Sequence, residues 1–212
     1  MTLKIYGLGI SAGTRLALAA CAEKNVPAEL VGLDYMGGEL KGAAHVARQP
    51  FAKVPALDHD GFALFESRAI ARYVAETFPG ASLIPTDPKE RALMDQWLNV
   101  EQHEFYPTAH PLALELWLKP LFGMGDPDPA IVERLRGATS IVLEVLDKAL
   151  AGKTYLVGNQ FTLADLVYMP DLENLHTAGQ AAWLGRYENV TRWWKTISSR
   201  PAWVAVKAQV SA

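Results

Sequence analysis

Apolar residues in the first part of the chain recur with two different spacings, which predicts alternating strands and helices. Ser11 stands directly before a helical pattern and is a suitable N-cap. Asp58-His59-Asp60-Gly61 lies between two short apolar runs and is typical of a hairpin turn. The predicted strands are Leu3–Tyr6, Ala28–Leu33, 54–57 and 62–65, and the predicted helices are Ser11–Lys24, Gly42–Arg48 and Ser67–Phe78. Two strand–helix units, a hairpin and a closing helix give a small mixed sheet.

The pattern changes after Pro79-Gly80, and beyond residue 86 strand signals almost disappear. Asp87-Pro88-Lys89-Glu90 places a capping acid, a first-turn proline and a glutamate in positions that helices prefer. Pro107 and Pro111 predict a kink or a break in the helix that starts there. The sequence therefore predicts a second half made of helices.

Further helices are predicted along the rest of the chain. One opens at Asp128-Pro129 and ends near Gly152. Thr162 and Asp165 resemble a capping box, with Phe161 and Leu166 as its hydrophobic staple. Helical patterning returns near Asn189–Ser199 and after Pro201. The apolar face of the helix after Asp128 is expected to comprise Ile131, Leu135, Val142, Val145, Leu146 and Ala149.

Composition narrows the function classes. The 212 residues carry 20 Lys plus Arg against 23 Asp plus Glu, so a net charge of −3 without a basic cluster argues against nucleic acid. One cysteine excludes an intrachain disulfide framework. The N-terminus lacks the pattern of a secretion signal, and no apolar run is long enough to span a membrane. We expect a cytoplasmic protein with no membrane partner.

The Val54-Pro55-Ala56-Leu57 stretch is the most informative sign of function. Proline has no N–H to give to a sheet, so Pro55 is expected to turn the backbone outward, with a cis Val54–Pro55 bond as one route. Main-chain groups there are then available to a ligand. Glu66-Ser67 follows a strand where a helix begins, and such a terminus holds a carboxylate well. Both features fit a small peptide.

The order of elements and four segments resemble a cytosolic glutathione transferase, most closely the serine-using phi-type members. The resemblance covers nearly the whole chain and implies an α/β N-terminal thioredoxin-like domain at 1–79, followed by an all-α helical-bundle domain at 87–212. No segment is decisive alone, but four in the right order make chance similarity improbable. The segments are Ser11–Arg15, Arg48–Leu57, Phe65–Ile70 and Trp193–Trp203.

The resemblance implies glutathione as co-substrate, with no further cofactor and no metal. Ser11 is implied to hydrogen-bond the glutathione sulfur and favour its thiolate, although Ser11 also suits a plain helix cap. The implied glutathione contacts come from the strand at Pro55 and the two helix starts. Val54 would pair with the cysteinyl part, Glu66 with the ammonium, Ser67 with the γ-glutamyl carboxylate, and Lys41 and Lys53 with the glycyl carboxylate, while Arg68 would organise Glu66 and a subunit interface.

The chain departs from the phi-type pattern at two places. Leu40 stands where a histidine is common, and Ala52-Lys53 stands where Gly-Gln is common. His45 is one candidate for a partial substitute, but a surface histidine is the expectation. Cys21 lies inside an alanine-rich helix and is expected to be a small buried apolar residue, so exchange through a protein thiol is not predicted.

The acceptor pocket is expected between the two halves, over Ser11, and to suit small hydrophobic electrophiles. Its candidate residues are Ile10, Ala12, Tyr35, Met36, His110, Leu114 and Leu118. Leu114 and Leu118 lie four apart on one helix face, so both face either this pocket or the bundle core. The leading hypothesis is conjugation of glutathione in detoxification. The alternatives are glutathione-dependent hydroperoxide reduction and a non-catalytic carrier. The resemblance also implies a homodimer through the Glu66–Phe78 helix and the first long helix.

Overall fold

The computed structural model describes residues 3–211, which form two compact units. The first unit comprises residues 3–84 together with 199–211, and the second comprises residues 85–198. The last helix, predicted as part of the helical domain at 87–212, is grouped with the first unit in the structure. No helix in the described part of the chain is long and apolar enough to cross a membrane.

The strands and helices follow the predicted order. The strands are β1 (Leu3–Gly7), β2 (Ala28–Gly32), β3 (Ala56–His59) and β4 (Phe62–Phe65). The helices are α1 (Ala12–Glu23), α2 (Ala43–Val46), α3 (Ser67–Thr77), α4 (Pro88–Val100), α5 (Tyr106–Ala113), α6 (Lys119–Leu121), α7 (Pro129–Ala149), α8 (Leu163–Leu166), α9 (Met169–Thr177), α10 (Ala181–Leu184), α11 (Glu188–Ser198) and α12 (Pro201–Ser211).

The first unit contains one mixed sheet in the strand order β2-β1-β3-β4. β1 runs parallel to β2 and antiparallel to β3, and Leu3 pairs with both Ala28 and His59. β3 and β4 form the predicted hairpin. Asp60 and Gly61 at its turn have φ values of 51° and 91°, and two positive φ angles suit a two-residue hairpin turn. The thioredoxin-like prediction for this half is confirmed.

Helix α1 forms the centre of the first unit. All its residues except Gly13 and Ala22 are buried, and it packs against α3 and α12. A helix that is buried on all sides needs a covering element on each face. Arg200 holds α12 there by donating from Nε and Nη2 to the two carboxylate oxygens of Glu23, each at 2.6 Å. This packing explains why the last helix belongs to the first unit.

The helix that begins at Pro88 continues to Leu121 through two wider turns of π-helix, Glu101–Phe105 and Leu114–Leu118. Pro107 and Pro111 both lie inside α5, between these turns. Because proline cannot donate to the preceding turn, the helix accommodates the two prolines by changing its hydrogen-bond spacing beside them. Of the two predicted alternatives, a kink or a break, the break is therefore absent.

In the second unit the predicted helix caps are confirmed, but the predicted apolar face of α7 is wrong at one residue. Asp87, Asp128 and Thr162 cap their helices, and the capping box of Thr162 and Asp165 is complete. On α7, Val145 was expected in the core but is 49% exposed. Its neighbours Val142 and Leu146 are buried and set the inward face, so Val145 points outward.

Candidate functional site

Three segments of the first unit meet at the start of α1. Gly13 lies so close to its neighbours that a Cβ there would stand 3.0 Å from Pro55 Cδ and 3.4 Å from Ser67 Cβ. Only a glycine permits this approach without displacing proline or serine. The structure therefore brings together the first turn of α1, the loop of residues 52–55 (the proline loop) and the start of α3, which are the three segments that the sequence predicts to share one site.

Ser11 is the N-cap of α1 and is partly exposed. Its Oγ accepts a long hydrogen bond of 3.4 Å from the Thr14 N–H. A hydroxyl group both accepts and donates, so this bond leaves the Ser11 O–H hydrogen for a second partner. The capping role and a role in binding an anion are thus compatible.

Thr14 shapes the loop that carries Ser11, a role that the sequence analysis missed. Its buried Oγ1 accepts from the Leu8 N–H at 3.3 Å, and the Ser11 N–H donates to the Leu8 carbonyl at 2.9 Å. A Cβ at Gly7 would stand 2.4 Å from Thr14 Oγ1. A glycine at the end of a strand, followed seven residues later by a threonine, was the available signal.

The Val54–Pro55 peptide bond is cis. Pro55 is buried, Val54 is partly exposed, and Lys53 is exposed. Ala52, just before them, has a φ of 52°, in the left-handed region that favours glycine. The proline loop thus has a tightly turned backbone and an outward-facing lysine.

This loop is held by two buried side chains, His45 and Gln49, which lie one helical turn apart. His45 Nε2 donates to the Lys53 carbonyl oxygen at 2.7 Å. Gln49 Oε1 accepts from the N–H groups of Phe51 and Lys53 at 2.7 and 3.1 Å. The expectation of a surface histidine is wrong, because His45 is 2% exposed. His45 is buried because the loop folds back over α2. The residues around His45 in the sequence do not indicate this contact.

The start of α3 also has an unusual backbone. Glu66 is its N-cap with φ 71° and ψ 112°, and its side chain is exposed and makes no capping hydrogen bond. Ser67, the first helical residue, is 8% exposed. N–H groups in the first turn of a helix lack partners within the helix and, with the helix dipole, favour an anion. The start of α3 therefore has the features on which the predicted carboxylate-binding position rests, and that role of Ser67 stays a prediction.

The remaining predicted glutathione contacts lie on the surface of the first unit. Lys41 and Lys53 are exposed, and Arg68 is partly exposed. The acceptor candidates in this unit differ from one another. Tyr35 and Met36 are 58% and 83% exposed, Ile10 is partly exposed, and Ala12 is buried at 5%.

The acceptor candidates of the second unit lie along one helix and its π turn. Leu114 is 38% exposed and Leu118 is partly exposed, so neither belongs to the buried core of this unit. His110 donates from Nδ1 to Asp171 at 2.8 Å and stacks on Tyr106 with ring centres 4.7 Å apart. Asp171 is 2% exposed. A buried carboxylate thus fixes the orientation of a partly exposed imidazole.

Cys21 is excluded as a second nucleophile. The side chain is 1% exposed, and burial raises the pKa of its thiol to about 12. Burial thus disfavours the thiolate, which is the reactive form of the side chain. Among residues 3–211 no group of three or more histidine, cysteine, aspartate or glutamate side chains is arranged to hold a metal ion.

Comparison with known protein families identifies the family to which this chain belongs. The model of the glutathione S-transferase N-terminal domain matches residues 1–76, and that of the C-terminal domain matches residues 105–201. The chain belongs to the glutathione S-transferase family. Glutathione is therefore its co-substrate.

Individual relatives agree with this transferase assignment. Glutathione S-transferase F11 of Arabidopsis thaliana is 39% identical over 96% of each chain. The crystal structure of glutathione transferase F7 from Populus trichocarpa has a TM-score of 0.93 and 36% identity, covering 98% of this chain and 99% of that one. Maize glutathione S-transferase I, solved in complex with an atrazine glutathione conjugate, has a TM-score of 0.91 and 30% identity, covering 99% and 98%. These plant relatives belong to the phi class.

Proposed function

We propose that this transferase conjugates the glutathione thiolate to small hydrophobic electrophiles, with Ser11 stabilising the thiolate. The observation that carries the proposal is the position of Ser11. Its partly exposed hydroxyl caps α1, whose first turn is in contact with Pro55 and Ser67. The predicted sulfur partner and two predicted peptide contacts therefore share one small region of the first unit.

The physics of that region favours a sulfur anion. A hydroxyl donor at a helix N-terminus, close to main-chain N–H groups and the positive end of the dipole, stabilises negative charge. In such surroundings the pKa of a thiol falls from about 8.5 to roughly 3.5–7.5. Bound glutathione would then present a nucleophile at neutral pH. The thiolate forms a bond to the electrophilic carbon, and the leaving group departs with the electron pair of its bond.

The rest of the first unit would hold the peptide. Val54 would pair through its main chain with the cysteinyl part, beside the turn at Pro55. Glu66 would bind the ammonium group and the Ser67 segment the γ-glutamyl carboxylate. Lys41 and Lys53 would attract the glycyl carboxylate, and Arg68 would organise Glu66. Because both lysines are exposed, the contribution of these two cations should weaken with salt.

The acceptor would contact mainly apolar side chains. Leu114 and Leu118 offer partly exposed apolar surface at the two ends of a π turn, a feature that often marks functional sites. The maize relative holds a glutathione conjugate of atrazine, a small heteroaromatic compound, which supports acceptors of this class.

The decisive experiment measures initial rates with glutathione and an activated aryl halide for wild type and Ser11→Ala, alongside glutathione affinity. We expect kcat to fall about 100-fold or more, as when one transition-state hydrogen-bond donor is removed. Glutathione affinity should stay within a few-fold, because the other peptide contacts remain. Equal rates in both proteins would remove Ser11 from the mechanism.

Two further variants separate chemistry from helix capping. Ser11→Gly keeps most of the capping stability without a hydroxyl, whereas Ser11→Thr keeps a hydroxyl. We expect Ser11→Gly to be as inactive as Ser11→Ala and Ser11→Thr to retain more activity than either. Activity that instead follows the melting temperature across the three variants would make Ser11 a structural cap only.

Hydroperoxide reduction is a second candidate, and the fixed orientation of His110 favours it. In that reaction the thiolate attacks a hydroperoxide oxygen, the O–O bond breaks, and the alkoxide takes a proton. A second glutathione then converts the sulfenic acid into a disulfide and water. In its imidazolium form, His110 would keep its Nδ1–H on Asp171 and give its Nε2 proton to the alkoxide. His110→Gln should then lower the hydroperoxide rate about 10-fold or more while sparing the aryl halide rate, and equal losses would contradict this assignment.

We also propose a homodimer formed through α3 and α4. Leu93 on α4 is 46% exposed, which suits an apolar contact. Light scattering of the purified protein should give twice the chain mass, and Leu93→Glu should shift it toward the single chain. A wild-type mass of one chain would exclude the dimer.

A further inference from the structure

The loop that precedes Val54-Pro55 is held by side chains that bind both main-chain polar groups of one residue, Lys53. The Lys53 N–H donates to Gln49 Oε1 at 3.1 Å, and the Lys53 carbonyl accepts from His45 Nε2 at 2.7 Å. Both side chains are 2% exposed, so water does not compete for these bonds. The main chain of Lys53 is therefore fixed before any ligand arrives.

His45 and Gln49 reach the loop from the same direction because of their spacing. They lie four residues apart, and the Gln49 N–H donates to the His45 carbonyl at 2.9 Å, which completes one helical turn. Gln49 Oε1 also accepts from the Phe51 N–H at 2.7 Å. One turn of chain thus presents a donor and an acceptor together, and the loop closes onto both.

The bond from His45 has a directional consequence for Val54. The Lys53 carbonyl and the Val54 N–H belong to the same peptide group, and that group is trans because the cis bond in this segment is Val54–Pro55. In a trans peptide group the C=O and N–H bonds point in opposite directions. By holding the carbonyl, His45 turns the Val54 N–H away from the protein interior.

We propose that His45 and Gln49 are positioning residues for glutathione. Together they fix the main chain of Lys53, His45 at the Lys53-Val54 peptide group and Gln49 at the peptide group before it, in the orientation that binds the cysteinyl part. This inference rests on the proposed function, in which Val54 pairs with the cysteinyl main chain. Neither side chain touches the ligand. Each acts through the loop, and the gain is preorganisation, since a loop fixed in advance loses less freedom on binding.

A series of substitutions at His45 tests whether an N–H donor must extend as far as Nε2 to reach the Lys53 carbonyl. Gln carries an N–H group about as far from the backbone as Nε2, Asn carries one that stops short, and Leu carries none. We expect the Kd for S-methylglutathione to rise about tenfold in His45→Asn and His45→Leu and to stay within about threefold of wild type in His45→Gln, because a buried carbonyl is left without its donor in the first two. Isothermal titration calorimetry gives these constants directly.

Steady-state kinetics separates positioning from general damage. In His45→Asn and His45→Leu the KM for glutathione should rise in step with the Kd, while kcat at saturating glutathione and the KM for the aryl halide stay within about twofold. Gln49→Glu keeps an acceptor at Oε1 and Gln49→Met removes it at similar volume, so we expect near-normal affinity in the first and weakened affinity in the second. His103→Leu, at an exposed histidine of the second unit, is the matched control and should change nothing.

Each outcome decides the proposal. Equal affinity in His45→Gln, His45→Asn and wild type would overturn it, as would parallel losses of kcat and melting temperature in His45→Asn. Should His45→Leu fail to fold, the Gln and Asn variants still decide, since both keep a polar side chain. A wild-type protein without glutathione affinity would overturn the proposed function and this inference together. Normal wild-type binding with an active Ser11→Ala would remove only the role of Ser11.

Discussion

Ala52 and Glu66 hold backbone conformations that L-residues rarely adopt, with φ values of 52° and 71°. Such conformations cost about 1–2 kcal/mol each relative to a relaxed backbone. Ala52 leads into the proline loop and Glu66 into α3, so both lie on segments proposed to contact glutathione. Substitution by glycine removes this cost at either position, but only Glu66 has a proposed role for its side chain.

Ala52→Gly should therefore raise stability without affecting function. Relief of the left-handed conformation outweighs the extra freedom of glycine in the unfolded chain, and we expect a net gain of about 0.5–1 kcal/mol. Urea unfolding measures the gain, and glutathione titration should give an unchanged Kd. A loss of stability would mean that the Ala52 methyl group packs more tightly than its partial exposure indicates.

Glu66→Gly should separate stability from affinity. We expect a similar gain in unfolding free energy, because the backbone strain is relieved. Glutathione should bind several-fold more weakly, since an exposed ion pair contributes only about 0.2–1 kcal/mol. The same two measurements test this, and unchanged affinity would exclude Glu66 as the partner of the ammonium group.

At the scale of elements, Asp165 joins three parts of the second unit. Its Oδ1 accepts from the N–H of Leu156 and from Trp193 Nε1, each at 2.9 Å, and its Oδ2 accepts from the N–H and hydroxyl of Thr162 at 3.0 and 3.3 Å. Burial nevertheless raises the pKa of this carboxyl group from 3.8 to about 6, against the opposing effect of these hydrogen bonds. The capping box thus fixes a loop and α11 as well as α8.

This pKa gives a pH-dependent prediction for Asp165→Asn. The folded state holds the proton more tightly than the unfolded state, so the contribution of Asp165 is full below about pH 4 and is lost as the pH rises through about 6. Asn does not titrate and leaves one or two donors without an acceptor. Wild type should therefore exceed Asp165→Asn by the widest margin near pH 4, and the margin should narrow by roughly 3 kcal/mol or less toward pH 7.

Urea unfolding of both proteins at several pH values measures that margin. Comparison of the two chains cancels the titration of groups elsewhere. A margin that widens with rising pH would show that the four hydrogen bonds outweigh burial, and that the pKa of Asp165 lies below its ordinary value.

Caps and turns were predictable because their physics is local. The roles of Asp87, Asp128 and Thr162 follow from short-range hydrogen bonds that any chain with those residues can form. The proline-rich helix was not predictable, since its continuation through two π turns depends on packing around α5. The burial of His45 and the exposure of Val145 likewise depend on which parts of the fold pack against each residue. The sequence around each residue does not specify these neighbours.

At the scale of the whole molecule, the division into an α/β half and a helical half was predicted from the sequence. The grouping of α12 with the first unit was not. The bond between Glu23 and Arg200 joins residues 177 positions apart, and no sequence pattern indicates a partner at that distance. The candidate site shows the same limit. The motifs named Ser11, Pro55 and Ser67, whereas the contacts of Gly13 that bring them together became visible only in the fold.

The Glu23–Arg200 bond leads to a stability prediction. The Glu23 side chain is 5% exposed and that of Arg200 26% exposed, so Arg200→Met leaves a buried carboxylate without its main charge partner. We expect a loss of about 2 kcal/mol, less than for a fully buried pair because Arg200 is partly in water. The double variant with Glu23→Gln should recover part of it. Additive losses in urea unfolding would mean that the two groups contribute independently.

The membership of α12 in the first unit also sets an order of events during synthesis. A ribosome completes residues 85–198 before it makes 199–211, so the whole second unit emerges while one face of α1 still lacks its cover. The nascent first unit must protect this uncovered face of the alanine-rich helix α1 from other chains while more than a hundred residues are added, at about 5–20 per second. In a cell, this arrangement would make folding depend on chaperones, or would make chains stalled before Arg200 aggregate.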